Sequence, residues 1–444
     1  MFIRRNSILE QEVSMNTVNG IRLQQFCQFK NEIRGSTEYL VVGLDIAKEK
    51  HNAFFGTATG TTLYRGMFFD NTQEGFQKLL AQAEKLKAEN GLSKVVFGRE
   101  PTANYHRPLA EYLIKRGHLV VLVSPLSTVK NRQLLDGRWD KHDTKDAGNV
   151  ADLVAQGKCL YYDYPEAAIR NIRNLLSFKK RLKKEEQALQ VRIRNQLLAQ
   201  YFPEMDRHFR TAVGLSVVQR CLDPSVIAGM EYDEFCRTVA PGKLNLKQQR
   251  VLQRIWQSAH QSIGCRVGET VSFEAQAMVT SIHHVREMIK AVNEKIEALC
   301  LPFPEYSCLL SIPGFGPEVS STVLGAIGDP YRFSCGRQVL KMAGFDLSAS
   351  RSGKNALNIV PVISKRGKVD LRFVLYQAAL VASNTNHYFI MYYGRKYLRR
   401  QHEQGAGTKL RVKLAAKLLI IAWTLMKKKE MFDPNCLNLG EAKV

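Results

Sequence analysis

Four acidic residues stand out by position. Asp45 closes a short apolar run, Tyr39-Leu-Val-Val-Gly-Leu-Asp45, and Glu100 follows a second run, Ser93 to Gly98. Asp143 and Asp146 lie in Lys141-His-Asp143-Thr-Lys-Asp146-Ala147, which reads as the start of a helix. Acids at strand ends converge on one edge of a sheet, and two acids three residues apart share a helix face. Carboxylates grouped in this way are hard oxygen donors suited to Mg²⁺ or Mn²⁺. The chemistry that needs them is phosphoryl transfer, in which two cations roughly 3.5–4 Å apart activate the attacking oxygen and neutralise the leaving one. Bare carboxylates so close would repel one another. Taken singly, Asp143 and Asp146 also fit as acids favoured at a helix start, and Asp45 as a turn residue.

Two further segments have chemical potential. Ile312-Pro-Gly314-Phe-Gly316-Pro317 separates two apolar stretches and reads as a helix-hairpin-helix element. Its glycines let the backbone approach a phosphate, and the N–H groups opening the next helix can bind it without reading sequence. An ordinary helix–turn–helix corner is the plainer alternative. The second segment, Leu347-Ser348-Ala-Ser350-Arg351-Ser352-Gly-Lys354, is a polar loop leading to Ile363-Ser-Lys365-Arg366-Gly. A serine there is a candidate nucleophile, and Arg351, Lys354, Lys365 and Arg366 are candidates to offset charge on a phosphoryl group. A solvated loop carries the same composition.

The elements that must position these groups follow from periodicity. Tyr39–Asp45, 52–60 and 61–70 read as strands with a Gly turn between the last two. Residues 72–90 read as a helix, 93–98 as a strand, 105–116 as a helix and 118–123 as a strand. Hairpin strands followed by alternating strands and helices predict a mixed sheet with helices packed on it. Residues 165–300 are helical. One stretch carries Lys179, Lys180, Arg181, Lys183, Lys184, Arg192 and Arg194 on one face. Another, Val271 to Leu299, repeats apolar residues every 3.5 positions for four heptads. That is the seam of a coiled coil, made either between chains or by a helix pair within one. Residues 301–430 are helical with Gly and Pro punctuation, ending in a basic amphipathic helix at 408–429. Residues 1–38 read as an extension and 431–444 as a tail.

The chain has 444 residues with 64 Lys and Arg against 41 Asp and Glu, a formal charge of +23. That balance points to a polyanionic partner, nucleic acid before membrane. The longest apolar run, Leu418 to Met426, falls short of the roughly 20 residues a bilayer requires, so no membrane role is expected. Nine cysteines are scattered without a CxxC pair. This argues against a disulfide framework or a zinc site, and a cytoplasmic setting is the default.

In this order the segments resemble the DEDD transposases of the IS-one-ten and IS-eleven-eleven insertion-sequence family. The resemblance is carried by Asp45, Glu100, Lys141-His-Asp143-Thr-Lys-Asp146-Ala147, Ile312-Pro-Gly-Phe-Gly-Pro317, Ala343-Gly-Phe-Asp346-Leu, Arg351-Ser352-Gly-Lys354 and Ile363-Ser-Lys-Arg-Gly367. It covers about 39–160 and 301–430. It implies a RuvC-like, RNase H-type α/β domain over 39–160 that holds Mg²⁺ (or Mn²⁺) on Asp45, Glu100, Asp143 and Asp146. It also implies a helical coiled-coil and dimerisation region over 165–300, then a mostly α C-terminal domain over 301–430 bearing a serine nucleophile. Carried over by motif, that serine is Ser352, with Ser350 and Ser348 the alternatives if the loop aligns differently. Gly314, Gly316, Arg351, Lys354, Lys365 and Arg366 become nucleic-acid contacts.

The implied activity is recombination of a mobile element through a covalent phosphoserine–DNA link. Target and donor DNA are chosen by a noncoding guide RNA from the element. The implied protein is a homo-oligomer, dimer or tetramer, that joins the acids of one subunit to the serine of another. Two rivals remain at this level: a RuvC-like nuclease that hydrolyses junctions with water, and an inactive nucleic-acid-binding derivative.

Overall fold

The computed structural model describes residues 18–101, 103–135, 143–348 and 362–436, with backbone alone at 18–19, 135, 143–144 and 436. The chain divides into two compact units, Met1–Pro165 and Glu166–Val444.

The first unit is built on a six-stranded sheet. Its strands are β1 (Tyr39–Asp45), β2 (Lys50–Thr57), β3 (Thr62–Asp70), β4 (Lys94–Arg99), β5 (Leu119–Leu122) and β6 (Leu160–Tyr161), in the order β3-β2-β1-β4-β5-β6. Strands β1, β2 and β3 pair antiparallel, β4 and β5 join β1 in parallel, and β6 closes the edge antiparallel. The expected mixed sheet is therefore present, with the five strands read from periodicity placed to within three residues and the short edge strand β6 not foreseen.

Both faces of the sheet are covered, and strand alternation sorts the residues. Leu40, Val42, Leu44, Phe97 and Val120 face helices α2 (Gln73–Glu89) and α3 (His106–Lys115). Val41, Val96 and Val121 face helices α1 (Val18–Glu32) and α5 (Asp143–Ala155). Helix α4 (Pro125–Leu135) leaves β5 and packs on α5. Helix α1 is not a loose extension. Phe29 and Ile33 are fully buried in this core, and Arg22 donates 2.9 Å to the Tyr162 carbonyl.

The second unit is helical. Helix α6 (Ala167–Arg192) runs on through a π-helical turn at Ile193–Leu198. Four short helices follow: α7 (Ala212–Arg220), α8 (Pro224–Ala228), α9 (Tyr232–Val239) and α10 (Leu246–Ala259). Helix α11 (Glu269–Cys300) is the long heptad helix. Helices α12 (Pro304–Leu310), α13 (Pro317–Ile327) and α14 (Gly336–Ala343) precede a short hairpin, β7 (Leu347–Ser348) with β8 (Val362–Ile363). The chain then forms α15 (Val369–Thr385), α16 (His387–Leu398) and α17 (Ala406–Lys428).

The heptad seam is satisfied inside the chain. Val285, Val292 and Ile296 of α11 share a core with Ile169, Ile172 and Leu182 of α6, while Ala275, Val279 and Ile282 meet Ile193 and Leu197. High numbers on one helix meet low numbers on the other, so the pair is antiparallel. Arg286 Nε on α11 pairs with Glu186 Oε1 on α6 at 2.7 Å. The first of these cores continues through Leu324, Leu375 and Leu418, so 166–300 and 301–430 are not packed as separate bodies. No helix among the described residues is long and apolar enough to cross a membrane.

Candidate acid site and nucleic-acid surfaces

Two glycines make the floor of the site. Gly43 on β1 and Gly98 on β4 are register partners in the parallel ladder. A Cβ at Gly43 would lie 2.6 Å from Ala151 N and 2.9 Å from Ala151 Cβ, and one at Gly98 would lie 3.4 Å from Val150 Cγ1. Only residues without side chains let α5 lie so close to these strands. Ala155 lines the same cleft as Val41, whereas Ala147 and Ala151 cover Gly43, so α5 runs antiparallel to β1. Its first turn, with Asp143 and Asp146, thus points toward the C-terminal end of β1.

Asp45 and Glu100 are at that end. Leu44 and Arg99 are register partners, so the next residues, Asp45 and Glu100, flank each other at the ends of adjacent parallel strands. Each is two residues beyond a floor glycine, on the α5 face. Asp146 is 9% exposed. Three of the four acids are thereby brought to one end of one sheet face. The fourth, Asp143, opens α5, and its side chain lies outside the described residues.

Helix α4, unnoticed in the sequence, supplies the partners. Arg132 Nη2 lies 2.5 Å from Asp146 Oδ1. The Thr128 hydroxyl lies 2.9 Å from Glu100 Oε2 and 2.8 Å from the Pro125 carbonyl, and its single proton serves one of them at a time. Asn131 Nδ2 donates to Asn149 Oδ1 at 2.8 Å and to Asp152 Oδ2 at 2.7 Å. Asn149 Nδ2 returns a bond to the Thr128 carbonyl at 2.7 Å. Thr128, Asn131 and Asn149 are all buried. Spacings of three and four put Thr128, Asn131 and Arg132 on one face of α4.

The donor set suits a hard cation, because every candidate ligand is a carboxylate. Among the described residues, however, no three His, Cys, Asp or Glu side chains converge closely enough to hold a metal ion. Asp146 faces Arg132 instead. A cleft of about 330 Å³ opens between the β2–β3 hairpin and α5, with Arg65, Arg132 and Lys145 in its lining but, among the described residues, none of the four acids.

The second unit holds the other candidates. Gly314 has φ +87°, and a Cβ there would collide with the Ala378 carbonyl and lie 3.2 Å from Ala382 Cβ. Its glycine is thus required by close packing on α15. Gly316 caps α13, with open space where its side chain would be. The positive end of α13 already carries a carboxylate. Glu318 pairs with Lys183 at 2.7 Å and Lys179 at 3.3 Å. Burial pushes its carboxyl up, but the Lys183 hydrogen bond and the two ammonium charges outweigh this and hold it below the ordinary value. These groups line a cavity of about 460 Å³ between α6, α13 and α15. Arg173, Lys179, Lys180, Lys183, Lys184 and Lys368 outnumber Glu318 and Asp370 there, so the cavity is basic.

Ser350, Arg351, Ser352 and Lys354 lie outside the described residues. The residues that flank them are fixed. Ser348 pairs with Val362 in the β7–β8 hairpin, and Ser364 Oγ donates to Asp346 Oδ1 at 2.5 Å. Gly344 and Gly367 lie back to back, where a Cβ on either would strike the other's backbone. The Ala343-Gly-Phe-Asp346 and Ile363-Ser-Lys-Arg-Gly367 segments are therefore two halves of one clasp. Lys365 (φ +56°) and Arg366 are exposed on it.

Comparison with known proteins matches both the N-terminal and the C-terminal part of the chain. A family model described as a transposase, the DEDD type of IS110, matches residues 42–203. A second, described as the transposase IS116/IS110/IS902 family, matches residues 306–400. The chain is 21% identical over 400 residues to the insertion element IS110 uncharacterized 43.6 kDa protein of Streptomyces coelicolor, covering 88% of this chain and 95% of that protein. With both halves matched in order, the chain belongs to the IS110 family of transposases, enzymes of DNA recombination.

Proposed function

We propose that this transposase cuts and rejoins DNA with two cooperating groups: a divalent cation on Asp45, Glu100, Asp143 and Asp146, and the hydroxyl of Ser352. The observation that carries the first half is the shared edge of Asp45 and Glu100 beneath the first turn of α5, with Gly43 and Gly98 seating the helix. The mixed sheet with acids at its strand ends also supports the RuvC-like reading. When bound, the cation would polarise the scissile phosphodiester and neutralise the leaving oxygen.

The chain's own residues do the rest. Arg132 and Thr128 hold two of the acids in place. The Ser352 hydroxyl gives up its proton, forms a new bond to phosphorus, and one deoxyribose oxygen leaves carrying the second DNA end. Attack by a strand hydroxyl on the phosphoserine reverses the exchange, so bond energy is conserved. The clasp of Gly344 with Gly367 supports a fixed base for this step, and Lys365 and Arg366 lie at that base to meet phosphate. Lysines of α6 around the basic cavity would hold DNA or a guide RNA from the element, with affinity falling steeply as salt rises. A homo-oligomer is proposed on the family likeness alone, since the α11 seam is already used within the chain.

The test is to incubate the protein with end-labelled DNA and Mg²⁺, denature it, and look for label on protein. A Ser352-dependent adduct, lost in Ser352→Ala, is expected. Cleavage without any adduct replaces the serine step with hydrolysis by water. Asp146→Ala is expected to abolish strand transfer with DNA binding retained. Unimpaired transfer by that variant overturns the acid site.

A further inference from the structure

Asn52 stands directly across from Asp45 in the β1–β2 ladder. Alternation puts it on the α5 face with Phe54, whose ring would lie 3.5 Å from a Cβ at Gly148. Asn52 is one pleat nearer the first turn of α5 than Phe54, and thus on the acids' side. It is 3% exposed, and neither its Nδ2 nor its Oδ1 has a hydrogen-bond partner. Leaving a buried carboxamide unpaired is destabilising, and such atoms are rare in folded proteins. A leucine would fill nearly the same volume without that cost. Cross-strand partners on one face have Cβ atoms roughly 4.5–5.5 Å apart, so the carboxamide is within reach of the Asp45 carboxylate. A buried carboxamide with both polar atoms unpaired, across the ladder from an acid of a metal-type motif, has a donor and an acceptor to offer that site.

Resting on the acid-site reading above, we propose that Asn52 is a positioning residue of the cation site. Its Nδ2 donates to the Asp45 carboxylate and its Oδ1 accepts from the hydration shell of the bound ion. The carboxamide is unpaired until the site loads, and it fixes the orientation of Asp45 thereafter. Outer partners of this kind contribute about 10–100-fold to metal affinity.

The experiment is thermal unfolding of the full-length protein, first in chelator and then across a Mn²⁺ titration, for wild type, Asn52→Leu and Asn52→Asp. Wild type is expected to gain stability with Mn²⁺. Asn52→Leu is expected to be at least as stable as wild type in chelator, because an unpaired polar group has gone. Its Mn²⁺ midpoint is expected about 10–100-fold higher. Asn52→Asp sets a like charge across from Asp45, so it is expected to be less stable in chelator and to bind Mn²⁺ more tightly. An Asn52→Leu protein with the wild-type midpoint overturns the proposal, whatever its stability in chelator. If that variant does not fold, an unchanged midpoint in Asn52→Asp overturns it instead. A wild-type protein with no Mn²⁺ response rejects the acid site itself, and Asn52's role with it. A normal wild-type response with unmoved variants rejects Asn52 alone.

Discussion

Gly43→Ala is the sharpest single test of how the acids are brought together. The added methyl would stand 2.6 Å from Ala151 N and 2.9 Å from Ala151 Cβ, and against the Ala147 carbonyl. Two of those three atoms are helix backbone, which cannot swing aside as a side-chain tip does. Ordinary carbon contacts lie at about 3.5–4.0 Å, so α5 must rise by roughly 1 Å. Overpacking of this kind costs about 1–3 kcal/mol, and a backbone obstacle argues for the upper end. For a unit of this size that is roughly a 4–10 °C drop in Tm. The larger effect is on chemistry, because the same lift carries Asp143 and Asp146 away from Asp45 and Glu100. A misplacement of about 1 Å costs on the order of 100-fold in rate. Urea unfolding and Mg²⁺-dependent DNA strand cleavage, measured where the variant is fully folded, read the two effects separately. Gly98→Ala is the internal comparison: the new methyl meets Val154 and Val150 side chains, which can yield, so both losses are smaller. DNA binding is expected to be unchanged in both. A Gly43→Ala protein with wild-type stability and cleavage would refute the claim that this glycine sets the height of α5.

Two other outcomes follow from the same unit. Arg132→Gln leaves the Asp146 carboxylate buried without its cation, and the expected loss in chelator is about 2–4 kcal/mol, since Arg132 is about a quarter exposed; Mg²⁺ or Mn²⁺ should recover part of it, and an equal deficit with and without the ion would contradict a cation site at Asp146. Burial holds His51 below the ordinary imidazole value of 6.5, against a weaker opposing hydrogen bond from Asn71. The unfolded chain therefore takes up a proton first as pH falls, and His51's contribution, fully present above pH 6.5, is lost below it. His51→Phe, packed against Phe69 and Phe76, is expected to flatten stability between pH 7 and 5 without abolishing the slope, because burial also lowers His118; a slope identical to wild type in urea titrations would exclude His51.

Most of the first unit was legible because its strands are short, β-rich and bounded by glycine turns. Helix α1 was not. Phe26 and Phe29, with Ile33 just past its end, supply its core contacts, while Ile21 on the same helix is exposed, so its apolar residues make no clean stripe. The α11 heptads were visible, but a 3.5-residue period specifies a seam and not whose helix fills it. Of the acid site, the carboxylates themselves were readable from their places at strand and helix ends. Gly43 and Gly98 were readable in principle, since a lone glycine inside a strand signals close approach of another backbone. Thr128, Arg132 and Asn52 were not, because each acts through a residue far away in sequence or across a strand register that only the fold defines. In the second unit the motifs at 343–347 and 363–367 looked like separate signatures, and packing makes them one clasp.

The partners on α4 bear on how such a site survives without its ion. Acids collected at one sheet edge repel, and a protein that relied on the cation to gather them would fold poorly in its absence. Here Arg132 offsets the charge of Asp146, Thr128 reaches Glu100, and the Asn131–Asn149–Asp152 network ties α4 to α5. The acid edge is thus assembled by neutralising and hydrogen-bonding groups from one helix face. On the proposed reading, a cation entering it would compete with the Arg132 guanidinium for Asp146, which would lower its net affinity by whatever that ion pair contributes. The same competition would couple loading to the position of Arg132, which also lines the cleft between the β2–β3 hairpin and α5. An arginine released from Asp146 at that moment is a cation free to meet a phosphate in the cleft. If the proposed site holds, ion loading and DNA engagement would reinforce one another through one side chain.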